Sequence, residues 1–159
     1  MKSPPTLHFA IMSDAIGNGL ELQIENFLKE HPSTGLIVID TLQKVRKTVF
    51  SNVNPYATDY DDINPLKQIT DRNKLAIVLV HHLRKTADSD PLNMISGTTG
   101  IAGGADTNFV LQKDKRTVNT AKLICTGRDI EDRELFLEFN KESFVGFTFS
   151  GRGSRANGG

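Results

Sequence analysis

The sequence predicts an α/β fold in which parallel core strands with flanking helices are followed by a C-terminal antiparallel extension. Three observations predict it. Two uninterrupted apolar runs, Leu36–Ile39 and Leu75–Val80, read as strands covered on both faces, the pattern of parallel sheets. A segment of helical periodicity precedes each run, and strand–helix–strand order implies right-handed crossovers. Beyond residue 107 the pattern changes to short apolar segments separated by turn residues, as in an antiparallel meander.

Each element follows from its own residues. Leu7 to Met12 is a short apolar run behind Pro4 and Pro5 and is expected as an edge strand. Asp14 to Gly19 is a turn-rich connection. Leu20, Ile24, Phe27 and Leu28 recur at helical spacing, and His31-Pro32 ends that helix because the residue before a proline is pushed out of the helical region. Gly35 opens the first core strand, which closes on Asp40. Residues 43 to 58 read as a long surface loop. Asp59 to Asn73 reads as a second helix, starting nearer Asp62 because Pro65 is comfortable only in a first turn. The second core strand ends in His81-His82. A polar loop from Arg84 to Asn93 and a glycine-rich segment from Ser96 to Ala105 follow. Asn108–Gln112, Ala121–Cys125, Glu134–Phe139 and Phe144–Phe149 are the expected meander strands, with turns at 128–133 and 140–142. One domain over residues 1–150 and a disordered Gly/Arg-rich tail over 151–159 are expected.

Composition narrows the function classes. The 159 residues carry 19 Lys+Arg against 19 Asp+Glu, so a uniformly basic nucleic-acid coat is excluded while a local basic patch is not. Cys125 is the one cysteine, which excludes an internal disulfide and a multi-cysteine metal site. No apolar run approaches a membrane span, and Met1–Pro5 leads into no leader-like stretch, so a cytoplasmic protein is expected.

The residues with chemical potential sit at strand ends. Four apolar residues and then Asp40 is the physical form of a Walker B strand, whose carboxylate emerges where it can hold hydrated Mg²⁺ beside nucleotide phosphates. The alternative is an acid that caps the next helix. His81 and His82, at the end of the second strand, can hydrogen-bond a terminal phosphate; the alternative is one packed and one exposed histidine. A metal-dependent hydrolase using Asp40, His81, His82 and Asp106 is a further class. Against it, adjacent strand residues point to opposite faces, so both histidines cannot easily ligate one ion.

Four segments in order carry a family resemblance: Gly35–Arg46 (GLIVIDTLQKVR), Ala76–Thr86 (AIVLVHHLRKT), Ser96–Thr107 (SGTTGIAGGADT) and Cys125–Asp129 (CTGRD). Together they resemble the RecA-type ATPase domain of RepA-like replicative helicases of plasmids, phages and mobile elements, over about residues 20 to 148. The resemblance implies a partial RecA-like sheet and assigns roles. Asp40 matches the Walker B aspartate that positions Mg²⁺. His82, less well His81, matches the histidine that senses the γ-phosphate. Ser96–Asp106 matches a small-residue segment near the subunit contact. Arg128 resembles the arginine finger that reaches a neighbouring subunit's phosphates, where it would stabilise developing charge. As a hairpin residue, Arg128 would instead pair with Asp129 or Glu131. The basic residues Lys44, Arg46, Lys47, Arg84 and Lys85 follow the two strand ends, where the family faces single-stranded DNA; alternatively they are loop charges balancing Asp59, Asp61 and Asp62.

One departure dominates. A P-loop needs Gly-x-x-x-x-Gly-Lys-Ser/Thr to cradle phosphates, and the sequence contains no Gly-Lys pair. In the family the P-loop precedes the helix at Leu20, and neither Asp14 nor Glu21 is credited as the catalytic base. The expectation is therefore the C-terminal part of a helicase ATPase, inactive alone. ATP and Mg²⁺ are its implied cofactors, without tight binding by this chain. Its implied partners are single-stranded DNA, a homo-oligomer (a hexameric ring in the family) or a chain supplying the N-terminal half. The alternative is a non-catalytic RecA-like interaction module.

Overall fold

A computed structural model describes residues 4–46, 55–83, 99–113, 119–139 and 147–152. They belong to two compact units, Met1–His82 and Leu83–Gly159. No helix among the described residues is long and apolar enough to cross a membrane.

The first unit contains α1 (Leu20–Glu30), β1 (Leu36–Asp40), α2 (Leu42–Val45), α3 (Pro55–Asn73) and β2 (Ala76–Val80). In α1 the residues Leu20, Ile24 and Leu28, one turn apart, are buried. Gly19 precedes the helix at φ 119°, and a Cβ there would stand 2.8 Å from Asp14 Oδ2, so the entry to α1 requires glycine. The helix stops at His31, whose N–H donates to the Phe27 carbonyl at 2.9 Å, one residue before Pro32 as expected. β1 and β2 pair in parallel with Leu36 opposite Ala76 and Asp40 opposite Val80, as the two apolar runs predict.

Three expectations are corrected in this unit. Residues 7–12 form no strand. Their tether is to α1: Gln23 Nε2 donates to the Met12 carbonyl at 3.2 Å and Gln23 Oε1 accepts from the Asp14 N–H at 3.2 Å. The His8 ring packs with Phe27 and His31, its centroid 5.4 Å and 4.2 Å from theirs. These side-chain contacts replace a strand ladder and leave Phe9, Ile11 and Met12 exposed, Ile11 to 98%.

The expected loop at 43–58 is helical at both ends. The single turn α2 follows Asp40 almost at once, anchored by the buried Leu42 and Val45. α3 begins at Pro55, where a missing N–H costs nothing, and continues through Pro65. The burial of Ile63, Leu66 and Ile69, the last two almost wholly inaccessible, outweighs the hydrogen bond that Pro65 cannot donate. The helix closes on Lys74 in the left-handed region at φ 53°, with the Leu75 N–H donating back to the Thr70 carbonyl at 3.4 Å and Leu75 buried, a Schellman-type end.

The third correction concerns coverage. Among the described residues the strand pair is not enclosed on both faces. Ile37, Ile39, Ile77 and Leu79 are half-buried, and α3 lies against β2. The opposite face, bearing Leu36, Val38, Ala76, Val78 and Val80, is exposed. Apolar runs announce parallel pairing; what covers each face is set by elements elsewhere in the chain, and the described elements cover one.

The second unit contains α4 (Thr99–Gly104) and a four-stranded antiparallel sheet, β3 (Thr107–Lys113), β4 (Thr120–Gly127), β5 (Ile130–Phe139) and β6 (Phe147–Arg152), in sequential order. The predicted meander is present, with β5 beginning inside the expected turn at 128–133 and β6 running through Arg152, beyond the expected start of the tail. The helical turn at Thr99–Gly104 forms despite three glycines because Gly100 and Ile101 are buried and Asn108 Nδ2 donates to the Ala102 carbonyl at 3.0 Å, satisfying an orphan acceptor near the helix end. Among the residues whose burial is described, Val110, Ala121 and Cys125 are buried in the sheet, and Lys122 pairs with Glu134 across β4 and β5 at 2.9 Å.

Candidate functional site

In the first unit, Asp40 and His81-His82 come to the same end of neighbouring strands. Asp40 is the last residue of β1 and lies opposite Val80, so the two histidines continue just beyond its partner. Side chains alternate along a strand, which puts Asp40 on the face of Val78 and Val80. Carried on by two residues, the alternation assigns His82 to that face and His81 to the other. Burial agrees: Asp40 and His82 are exposed and His81 is half-buried. Asp40 makes no ion pair or side-chain hydrogen bond with a described residue. The Asp40–Thr41 peptide is cis, and the chain then turns away into α2. This is the carboxyl end of a parallel pair, where open α/β sheets bind ligands.

The basic residues divide. Lys44 is exposed on α2, with its N–H bonded to the Thr41 carbonyl at 2.9 Å. Arg46 donates through Nε to Asp62 Oδ2 at 2.6 Å, a partly buried pair that ties the end of α2 to α3. The end of α2 is also held by the Ile16 N–H, which donates to the Val45 carbonyl at 2.7 Å. One of the expected balancing acids is thus an Arg46 partner. Lys47, Arg84 and Lys85 lie outside the described residues, as do residues 96–98 of the small-residue segment.

In the second unit, Arg128 stands with Asp129 in the two-residue turn between β4 and β5. Its side chain is 71% exposed and pairs with neither Asp129 nor Glu131. Asp106 is its partner, 3.8 Å away through Nη1, and the Asp106 carbonyl accepts from the Arg128 N–H at 2.9 Å. Gly127 permits that approach: a Cβ would stand 2.6 Å from the Asp106 carbonyl oxygen and 2.8 Å from Thr107 Oγ1. Sequence reasoning misses Asp106 and Gly127 as supports of Arg128, because the contact spans two strands and leaves no local spacing to read. Cys125, close by on β4, is buried, and that burial pushes its thiol above the ordinary 9.0, the nearby Arg133 opposing only in part. Among the described residues no three of His, Cys, Asp and Glu converge to hold a metal ion, which leaves the Asp40, His81, His82 and Asp106 hydrolase set without support.

Residues 11–88 match the model of a family described as an AAA domain, a span that includes Asp40, His81 and His82. Among solved structures, the ATPase domain of a helicase superposes with a TM-score of 0.67 at 17% identity, covering 84% of this chain. The fold is that of a RecA-like ATPase domain. This chain spans about half the length of that solved chain, 51%. No curated protein sequence matches it. The RecA-like fold accounts for the arrangement of the first unit, a parallel pair with its polar residues gathered at the carboxyl end.

Proposed function

We propose that this chain is the Walker B-onward part of a RepA-like replicative helicase ATPase of a plasmid, phage or mobile element. One juxtaposition carries the reading: an exposed carboxylate, Asp40, at the same end of a parallel strand pair as His81 and His82, inside the span matched to an AAA domain. Magnesium takes oxygen ligands, keeps several waters and needs only one or two carboxylates beside nucleotide phosphates, so Asp40 fits it. Bound ATP supplies the phosphoryl group whose transfer to water the family couples to work. Asp40 orients the hydrated ion. His82, or less well His81, hydrogen-bonds the terminal phosphate and registers its loss. Arg128 acts in trans, as a cation presented to a neighbouring subunit of a homo-oligomer, the family's hexameric ring. Lys44, with Lys47, Arg84 and Lys85, contacts the backbone of single-stranded DNA; Arg46, engaged with Asp62, braces the helix that carries Lys44.

The sequence has no Gly-Lys pair to cradle phosphates. Purified 1–159 is therefore expected to show no ATP turnover above background, with or without single-stranded DNA, in a coupled phosphate-release assay. Robust turnover that Asp40→Ala abolishes would overturn the assignment of the phosphate cradle to another polypeptide segment. With a P-loop polypeptide supplied, turnover is expected and Asp40→Ala is expected to remove it; undiminished turnover in that variant removes the magnesium role. A non-catalytic RecA-like interaction module is the second reading, favoured by the bare apolar face of β1 and β2. It is the correct one if the paired polypeptides bind no Mg–ATP.

A further inference from the structure

The end of α1 carries a feature that the proposed chemistry does not use. Two of the four histidines meet there, one from the segment before the helix and one from its last turn. The His8 and His31 ring centroids are 4.2 Å apart, with the planes inclined by 44°. Phe27, one turn back along α1, closes one side of the pair, 5.4 Å from His8 and 4.5 Å from His31. Neither imidazole makes an ion pair or hydrogen bond with a described residue, so each neutral ring keeps a nitrogen lone pair uncommitted. Packing on Phe27 alone asks only for apolar partners, whereas imidazole is the commonest metal-ligating side chain. The backbone at His31 is fixed: its N–H donates to the Phe27 carbonyl at 2.9 Å, and its carbonyl accepts from the Thr34 N–H and Oγ1 at 3.1 Å and 2.7 Å. As the C-cap residue, His31 also stands at the negative end of the helix dipole, which favours a cation. His8 is exposed, which leaves its ring room to turn a nitrogen towards His31.

We infer that His8 and His31 form a two-imidazole site for a divalent transition-metal ion, Cu²⁺ or Ni²⁺ ahead of Zn²⁺, and that the bound ion clamps the segment before α1 to the end of that helix. An ion about 2.1 Å from one nitrogen of each ring stands about 3 Å from both ring centres. Centres 4.2 Å apart then subtend close to a right angle at the ion. That is the cis angle of tetragonal coordination, which suits Cu²⁺ and Ni²⁺ better than the tetrahedral preference of Zn²⁺. No third His, Cys, Asp or Glu joins the pair among the described residues, so water completes the shell. Mg²⁺ and Ca²⁺ are excluded because they require oxygen ligands. The clamp has a clear target. Residues 7–12 form no strand and are otherwise tied to α1 through Gln23, which bonds the Met12 carbonyl and the Asp14 N–H. The ion would fasten the opposite end of that segment, beside the 79% exposed Phe9. This site is independent of Asp40 and of the helicase reading.

The test titrates CuSO₄, NiCl₂ and ZnCl₂ into 1–159 by calorimetry, near neutral pH in a non-chelating buffer. One ion per chain is expected, with Cu²⁺ tightest. His8→Gln and His31→Gln should each weaken Cu²⁺ binding at least about tenfold. The double variant should bind little more weakly than either single one, because the same chelate is lost in all three. Should His31→Gln disturb α1, seen as a loss of helical dichroism, His8→Gln decides alone, since it alters an exposed residue outside the helix. Cu²⁺ binding unchanged in His8→Gln overturns the inference, and so do additive losses, the mark of two unrelated single-histidine sites. The clamp has its own readout. Zn²⁺ should slow chymotrypsin cleavage after Phe9 in the wild type and leave the rate unaltered in His8→Gln. Equal cleavage of the wild type with and without the ion overturns the clamp.

Discussion

At the scale of single residues, Gly127 sets the geometry around Arg128. Any side chain at Gly127 meets the Asp106 carbonyl oxygen, 2.6 Å from where a Cβ would be, and that atom also accepts the Arg128 N–H. Backbone cannot yield as a flexible side chain can. Gly127→Ala is expected to destabilise the chain by about 1–3 kcal/mol in urea titrations, in line with overpacking penalties; an unchanged midpoint would mean that the strands relax at no cost. Cys125 gives a pH-dependent counterpart. Its folded thiol loses a proton less readily than the unfolded one, because burial disfavours the thiolate more than Arg133 favours it. The sign follows directly: the stability tied to this group is complete below the unfolded value near 9.0 and is lost as pH rises through the higher folded value. The denaturant midpoint should therefore fall in alkaline buffer above that value, and iodoacetamide should modify Cys125 much faster in urea than in the native protein at pH 8. Equal rates in both states would contradict its burial. The sequence identifies Arg128 but neither of its supports, because a contact between Gly127 and the chain at Asp106 exists only once β3 and β4 pair.

At the scale of elements, what local residue pattern can specify is legible and what depends on distant cover is not. Leu20, Ile24 and Leu28 announce α1, and the two apolar runs announce β1 and β2, because periodicity and apolarity are local. The end of α1 before Pro32 is equally readable. By contrast α2 is four residues long, too short for periodicity, and exists because Leu42 and Val45 find a core. The start of α3 differs from the expected one because the first-turn rule applied to Pro65 moves the start inward and leaves Pro55 in a loop, whereas Pro55 opens the helix and Pro65 lies inside it. Strand ends alone bring Asp40 and the histidines together in outline; the single-sided cover of their sheet cannot be read from apolar runs. The helix itself offers a test. Pro65 sits inside α3 with the buried Ile63, Leu66 and Ile69 around it, so its missing N–H and its ring oppose packing that already holds. Pro65→Ala is expected to raise stability by about 1–3 kcal/mol, read as a higher thermal midpoint and a stronger helical dichroism signal. A lower midpoint would mean that the proline's restriction of the unfolded chain outweighs the interrupted helix.

At the scale of the whole molecule, charge balance sets what kind of nucleic-acid contact is possible. Nineteen cations against nineteen anions leave no general field to attract a polyanion, so any affinity must come from a few placed residues. Arg46 illustrates the distinction, since a cation fastened to Asp62 at 2.6 Å has little left to offer a phosphate. Lys44 is exposed one turn from the end of β1, and with Lys47, Arg84 and Lys85 it makes at most four contacts in the proposed interface. Each phosphate neutralised on a single strand releases counterions worth a slope of about −0.7 in log K against log salt. The expected slope for oligo(dT) binding, followed by fluorescence anisotropy across a salt series, is therefore about −3 or shallower. Lys44→Ala should reduce its magnitude by about 0.7 without introducing a base preference, because a phosphate contact carries no sequence information. A much steeper slope would require cations beyond these four. A slope unaltered by Lys44→Ala would detach the strand-end lysine from DNA and leave the carboxyl end of the β1–β2 pair to nucleotide alone.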